Sequence, residues 1–148
     1  MTRRELREHT FILLFRKDFH EAEEMEEQLS LYFDGVDISE EEGEQKHYRF
    51  PAAPEGEDAE EVKKRFYAVV SHKDEIDTLL SAATSGWRLE RIGKVELTLL
   101  RLALFEMRFD EEVPDKVAIN EAVELAKKYG ADASAGFING VLAKLVEA

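Results

Sequence analysis

The amino-acid sequence predicts an all-α protein of about seven helices, arranged in two packed groups around one long central helix. Apolar residues recur at the three- and four-residue spacing of one helix face in most segments of the 148-residue chain. No segment shows apolar and polar residues alternating between hairpin turns, as strands would. The stretch from Leu89 to Phe109 is the most apolar and has almost no polar face between Thr98 and Glu106, which is typical of a central helix with neighbours around it.

The amino-terminal half contains four predicted helices and one long loop. The first helix is predicted over Arg3 to Lys17 and the second over His20 to Phe33. Glycine, proline and clustered acidic residues then indicate a loop from Val36 to Gly56, within an acidic segment at residues 34–57. A third helix is predicted to begin at Asp58, and a fourth covers His72 to Thr84.

The carboxyl-terminal half contains the central helix and a helical hairpin. After Pro114 the helical spacing of apolar residues resumes, and Gly130 follows where that helix would stop. Asp132 or Ser134 can cap the last helix. Inside it, Gly140 costs about 1 kcal/mol of helix stability, and such a residue indicates a position where another backbone packs closely.

Length and composition predict one globular domain over residues 1–148. The chain has no cysteine, which excludes disulfides, thiolate chemistry and cysteine-ligated metals. No uninterrupted apolar run approaches the roughly 18 residues of a membrane span, and the amino terminus is rich in Arg and Glu where a signal peptide would be apolar. These features predict a cytoplasmic protein without a membrane partner.

The net charge of −13 is concentrated in one segment. Residues 1–17 carry five Arg or Lys against two Glu, whereas residues 18–62 carry two against seventeen acidic residues. Exposed charges separated by more than roughly 8 Å are largely screened at physiological salt. An acidic total therefore does not exclude a nucleic-acid partner at the amino-terminal end.

The sequence contains no motif that indicates an enzyme, a cofactor or a metal. The acidic run at residues 39–44 lacks the pattern of a calcium loop and is more typical of a solvated loop. The four histidines have neither metal-ligand spacing nor a triad-like setting, and no phosphate-binding glycine motif occurs. We therefore predict no catalytic residue.

Three segments carry a family resemblance. The carboxyl-terminal VPDKVAINEAVELAKKYG and FINGVL resemble the signature of the NusB family of bacterial transcription antitermination factors. TRRELREHTFILLF resembles that family's arginine-rich first helix, and WRLERIGKVELTLLRLALFE resembles its central helix. The resemblance covers about two thirds of the chain. It implies a factor that binds the boxA element of ribosomal RNA transcripts with the ribosomal protein NusE, within the RNA polymerase antitermination complex.

Arg3, Arg4 and Arg7 lie in the first two turns of a predicted helix, where the helix dipole already places positive charge. Each cation there costs roughly 0.3 to 1 kcal/mol, and a bound polyanion would relieve that conflict. A solvated basic helix end is the alternative. The resemblance favours RNA binding, because these residues match basic positions of the family, although Glu5 stands at a place that is often basic. We expect all three side chains to be exposed.

Phe137 and Arg101 are two further candidate RNA contacts that the resemblance implies. Phe137 follows a turn of small residues and could stack on an unpaired base, or it could be an ordinary core residue. Arg101 lies within the apolar central helix and could reach the RNA or form a buried ion pair with a carboxylate such as Glu121.

Phe15 and Glu96 match family positions at the NusE surface, and an apolar anchor beside a charge is a common interface composition. Phe15 could instead be a core residue. Two other functions stay open at this point. One is an accessory module of a ribosomal-RNA methyltransferase system. The other is a helical protein-interaction module without RNA binding.

Overall fold

The computed structural model describes residues 1–17, 33, 51–84 and 88–146. These ranges contain six α-helices and no strand, which confirms the all-α prediction. The helices are α1 (Arg3–Lys17), α2 (Gly56–Ser71), α3 (Lys73–Ala83), α4 (Lys94–Phe109), α5 (Asp115–Tyr129) and α6 (Ser134–Ala143). The predicted helix at residues 20–33 lies outside the described residues apart from Phe33, which is helical, and so does most of the acidic segment.

The chain divides into two compact units, Met1–Phe66 and Tyr67–Ala148, and the division falls within α2. In the first unit, the amino-terminal ammonium group of Met1 lies 3.6 Å from Oδ1 of Asp58, in the first turn of α2. α2 begins at Gly56, two residues before the predicted start. Gly56 has a φ of 56°, a conformation that glycine adopts without steric cost. The organisation as a single domain stays a prediction.

In the second unit, α4 is the central element and packs against α3, α5 and α6, while α5 and α6 pack against each other. Leu99 and Leu102 on one side of α4, and Leu100 and Leu104 on another, are almost fully buried. This arrangement follows from the apolar character of the segment around its whole circumference.

The predicted start of the central helix at Leu89 is wrong. Leu89–Arg91 form a 3-10 turn, and Ile92 then adopts an extended conformation with a ψ of 139°. The α-helix begins only after Gly93. Ile92 is buried, so its apolar side chain reflects packing of the connecting segment and not helix continuity.

Gly140 does not occupy the close-packing position that the sequence indicated. A Cβ atom built there meets no heavy atom within 4 Å in the described part of the chain, and the residue is exposed on α6. The apolar neighbours of Gly140 in α6 can pack without another backbone approaching the helix at residue 140.

The variant Gly140→Ala should therefore raise the free energy of unfolding by about 1 kcal/mol, because alanine is the better helix former and has room at this site. Chemical denaturation of the two proteins under the same conditions measures the difference. A destabilised variant would show that the position is constrained after all.

Within the described ranges, the helices are too short or too polar to cross a membrane.

Candidate functional site

The start of α1 is closed by a reciprocal pair of hydrogen bonds. The backbone N–H of Thr2 donates to Oε1 of Glu5 at 2.8 Å, and the N–H of Glu5 donates to Oγ1 of Thr2 at 3.1 Å. Hydrogen bonds from the backbone N–H and from the side chain of Thr2 lower the pKa of the Glu5 carboxyl. Glu5 thus caps the helix, which explains an acidic residue among the arginines. The spacing Thr-x-x-Glu signals this capping box, and our sequence analysis missed it.

Arg3 and Arg4 are exposed in the first turn of α1, as predicted, whereas Arg7 is only 6% exposed. The expectation that Arg7 is exposed is wrong. Arg7 lies on the same face of the helix as Thr10, Phe11 and Leu14, and that face is buried. Arg7 also has an interaction partner within the structure, and an RNA contact by Arg7 stays a prediction.

His9, in the second turn of α1, is also buried. Burial lowers the pKa of its imidazole, against the opposing effect of the carboxylates of Glu8, Glu5 and Asp58. The ring is therefore neutral at pH 7. The exposed positive charge of the first turn comes from Arg3 and Arg4.

In the second unit, residues 130–133 form a tight turn between α5 and α6, and residues 134–137 form the first turn of α6. Gly130 ends α5 as predicted, and its N–H donates to the carbonyl of Ala126 at 2.8 Å. Its backbone is extended, with a φ of −99° and a ψ of −178°, and does not adopt a left-handed conformation. A Cβ atom here would lie 2.8 Å from both the Ala126 carbonyl oxygen and Cβ of Ser134. Close approach of the two helix ends therefore requires glycine.

Ser134 joins this turn to the central helix. Its Oγ accepts a hydrogen bond from the backbone N–H of Ala131 at 3.0 Å and donates one to Oε2 of Glu96. The predicted cap at Asp132 or Ser134 is wrong, because the N-cap residue of α6 is Ala133, which makes no side-chain cap. Ser134 is instead the first helical residue, and its hydroxyl is used in holding the turn.

Phe137 is half-buried, while Ala133 and Gly136 beside it are exposed. Its neighbour Ile138 is fully buried and supplies the core contact at this position. Phe137 therefore lies beside the turn, in the first turn of α6, and is partly exposed there. Its stacking on a base stays a prediction.

Arg101 forms a two-pronged ion pair with Asp77 of α3. Its Nε and one terminal nitrogen lie 2.8 and 3.0 Å from the two carboxylate oxygens. Nζ of Lys73 lies 3.2 Å from the same carboxylate, and the Arg101 side chain is 16% exposed. The carboxylate partner in this pair is Asp77, where the sequence analysis had suggested Glu121. The pair connects α3 to α4, and an RNA contact by Arg101 stays a prediction.

Two variants separate these roles of Arg101. Both Asp77→Ala and Arg101→Ala should lower the free energy of unfolding by about 1 to 2 kcal/mol, because each breaks a partly buried charged hydrogen bond. If Arg101 also contacts RNA, Arg101→Ala should weaken RNA binding clearly more than Asp77→Ala. Equal RNA affinities of the two variants would assign Arg101 to structure alone.

The two predicted partner contacts lie in different units. Phe15 is half-buried near the end of α1, with its ring centroid 6.0 Å from that of Phe11. Glu96 is half-buried in the first turn of α4, where it accepts the hydrogen bond from Ser134. Their contact with a protein partner stays a prediction.

In the described part of the chain, no group of three or more His, Cys, Asp or Glu side chains is placed to hold a metal ion.

The chain is similar to known proteins along almost its whole length. The model of the NusB family matches residues 4–147. Transcription antitermination protein NusB of Lachnoclostridium phytofermentans is 52% identical over 147 residues, covering 99% of this chain and 100% of that protein. The protein of the same name from Agathobacter rectalis is 41% identical over 144 residues, covering 97% and 98%.

Two solved structures have a similar fold. T. maritima NusB superposes with a TM-score of 0.74 at 27% identity, covering 98% of this chain and 90% of that one. A chain in the crystal structure of antitermination factors NusB and NusE in complex with dsRNA superposes with a TM-score of 0.69 at 25% identity, covering 97% and 94%.

Proposed function

The chain belongs to the NusB family of transcription antitermination factors, and from that premise we propose that it binds boxA-type RNA of ribosomal RNA transcripts jointly with NusE. The family acts by binding and is not a family of enzymes. The observation that carries the proposal is the match over residues 4–147, together with a similar chain in a structure of NusB and NusE with dsRNA.

The exposed pair Arg3 and Arg4 is the first element of the proposed RNA surface. Both guanidinium groups stand at the amino-terminal end of α1, where the helix dipole adds positive potential. The Thr2–Glu5 capping box fixes this end of the helix, so the two side chains project from an ordered turn. An RNA phosphate is the natural partner of such a site.

The second element is the turn at residues 130–133 together with the first turn of α6 at residues 134–137. Small side chains such as Ala133 and Gly136 are exposed there, which leaves space for a nucleotide to approach the backbone. Phe137, which is half-buried beside the turn, can stack on an unpaired base, an interaction worth roughly 1 to 3 kcal/mol. Stacking of this kind requires single-stranded RNA, since bases within a duplex are not free to leave it.

NusE is the proposed protein partner, and Phe15 and Glu96 are its proposed contacts. Ribosomal proteins are commonly basic, and this chain carries a net charge of −13, so the two would attract each other at low salt. Two linked surfaces then raise the affinity for RNA above that of either protein alone. The site of action would be the cytoplasm, on nascent transcripts in the RNA polymerase antitermination complex.

Fluorescence anisotropy with a labelled boxA-type RNA tests this proposal. The RNA is titrated with this protein, with NusE, and with an equimolar mixture, and a scrambled RNA serves as the control. We expect the mixture to bind the boxA-type RNA more tightly than either protein and more tightly than it binds the scrambled RNA. Absence of RNA binding by the protein and by the mixture would contradict the proposal. NusE binding without RNA binding would instead identify a protein-interaction module.

A further inference from the structure

We propose that Glu96 and Ser134 together position the turn that binds RNA, so that the carboxylate offered to the protein partner also sets the geometry of the RNA site. This inference rests on the proposed function. It makes Ser134 and Glu96 positioning residues for RNA, and it identifies one hydrogen bond through which partner binding and RNA binding are linked.

Ser134 acts from within the protein. Its side chain belongs to a residue that is only 5% exposed, so a direct contact with RNA or with a partner surface is sterically restricted. Its Oγ accepts the Ala131 N–H at 3.0 Å and donates to the Glu96 carboxylate. The hydrogen bond between Ala131 and Ser134 therefore links the second residue of the turn to the first residue of α6. Loss of this hydroxyl would release Ala131 and the exposed residues that follow it.

Gly130 makes this arrangement tight. A Cβ atom at residue 130 would lie 2.8 Å from Oγ of Ser134 and 2.8 Å from the carbonyl oxygen of Ala126. The serine hydroxyl thus occupies the space beside the glycine, between the end of α5 and the start of α6. Its position, and with it the path of the turn, has little freedom.

Glu96 is itself fixed at the start of α4. It is the third helical residue after the N-cap Gly93, and its side chain folds back so that Oε1 contacts the position that a Cβ atom on Gly93 would occupy. The other oxygen, Oε2, accepts the hydrogen bond from Ser134. One carboxylate therefore joins the first turn of α4 to the first turn of α6.

A basic group of a protein partner that reaches Glu96 would bind the same carboxylate that holds the turn. Charge-assisted bonds restrict the orientation of a carboxylate, and this restriction passes to Ser134 and Ala131 through the bonds above. If the partner favours the RNA-binding geometry of the turn, RNA must favour partner binding by the same factor. Linkage of the two ligands thus needs no movement of the helices.

Four variants test the proposal, measured first for RNA affinity of the protein without NusE. Ser134→Ala and Glu96→Ala should each weaken binding of labelled boxA-type RNA by about tenfold, the scale of one charged hydrogen bond. The double variant should be no weaker than the weaker single variant, because both changes remove the same connection. Glu96→Gln should retain RNA affinity, since its amide oxygen still accepts the serine hydroxyl, yet it should weaken NusE binding through loss of charge.

Two controls distinguish positioning from general loss of stability. Thr84→Val removes another buried hydroxyl of the same unit, one that donates to the Leu80 carbonyl at 2.9 Å, and should leave RNA affinity unchanged. Amide hydrogen exchange at Ala131 should accelerate in Ser134→Ala and Glu96→Ala but not in Glu96→Gln or Thr84→Val.

If wild-type protein binds RNA and Glu96→Ala binds it equally well without NusE, the inference fails while the proposed function stands. The inference would also be overturned if the losses of RNA affinity were additive in the double variant. The same holds if Glu96→Gln lost as much RNA affinity as Glu96→Ala. Failure of the wild-type protein to bind RNA both alone and with NusE would overturn the inference and the proposed function together.

Discussion

Gly130→Ala should destabilise the protein by about 1 to 3 kcal/mol, the usual cost of inserting a methyl group where packing leaves no space. The new Cβ atom would lie 2.8 Å from a backbone carbonyl oxygen and from Ser134, and neither group is the far end of a flexible side chain. Relief requires the start of α6 to move away from the end of α5. Because that movement displaces the turn, RNA affinity should fall as well.

Gly136→Ala is the matched control for this prediction. It adds the same methyl group six residues later, where a Cβ atom meets no heavy atom within 4 Å among the described residues. We expect equal or slightly higher stability in thermal and chemical denaturation. Comparable losses in both variants would show that the close approach at Gly130 is not the cause.

Arg3→Ala combined with Arg4→Ala should weaken RNA binding and flatten its dependence on salt. A plot of the logarithm of the binding constant against the logarithm of salt concentration should become shallower by about 1.4, at about 0.7 per phosphate contact on single strands. The loss of affinity should therefore be largest at low salt. The free energy of unfolding should change by less than about 0.5 kcal/mol, because both side chains are exposed.

Arg88→Ala combined with Lys116→Ala removes the same charge from exposed positions outside the proposed surfaces. This control should leave the salt dependence unchanged, and an equal change in both double variants would mean that only net charge matters. Arg7→Ala is excluded from the comparison, because Arg7 is buried and its loss would affect folding.

The helices of this protein could be predicted where local spacing determines them. The bounds of α1 were predicted correctly, and those of α3 to within one residue, because an apolar stripe and a change in composition coincide at their ends. The start of α4 was missed because Leu89 and Ile92 are apolar but lie in a connecting segment whose backbone is not α-helical. Apolar spacing reports burial, and burial does not always mean a helix.

Less of the candidate site could be predicted from the sequence. Glu96 and Ser134 are 38 residues apart, and Arg101 and Asp77 are 24 apart, so neither pair follows from helix periodicity. Such contacts depend on which helices pack together and on how far each is shifted along its axis relative to the other. The burial of Arg7 could have been predicted from sequence, because Arg7 lies three residues before Thr10 and four before Phe11 on the apolar stripe. Its match to a basic family position outweighed that signal in our prediction.

The proposed function requires that RNA contacts the start of α1 and the turn between α5 and α6. Photo-crosslinking tests it most directly, with boxA-type RNA that carries 4-thiouridine at single positions and with the attachment sites located by mass spectrometry. We predict attachment within residues 1–7 and residues 130–137, both with and without NusE, and loss of the first group in the Arg3→Ala, Arg4→Ala variant. Attachment confined to other surfaces, such as the exposed face of α5, would show that RNA does not bind at these two places.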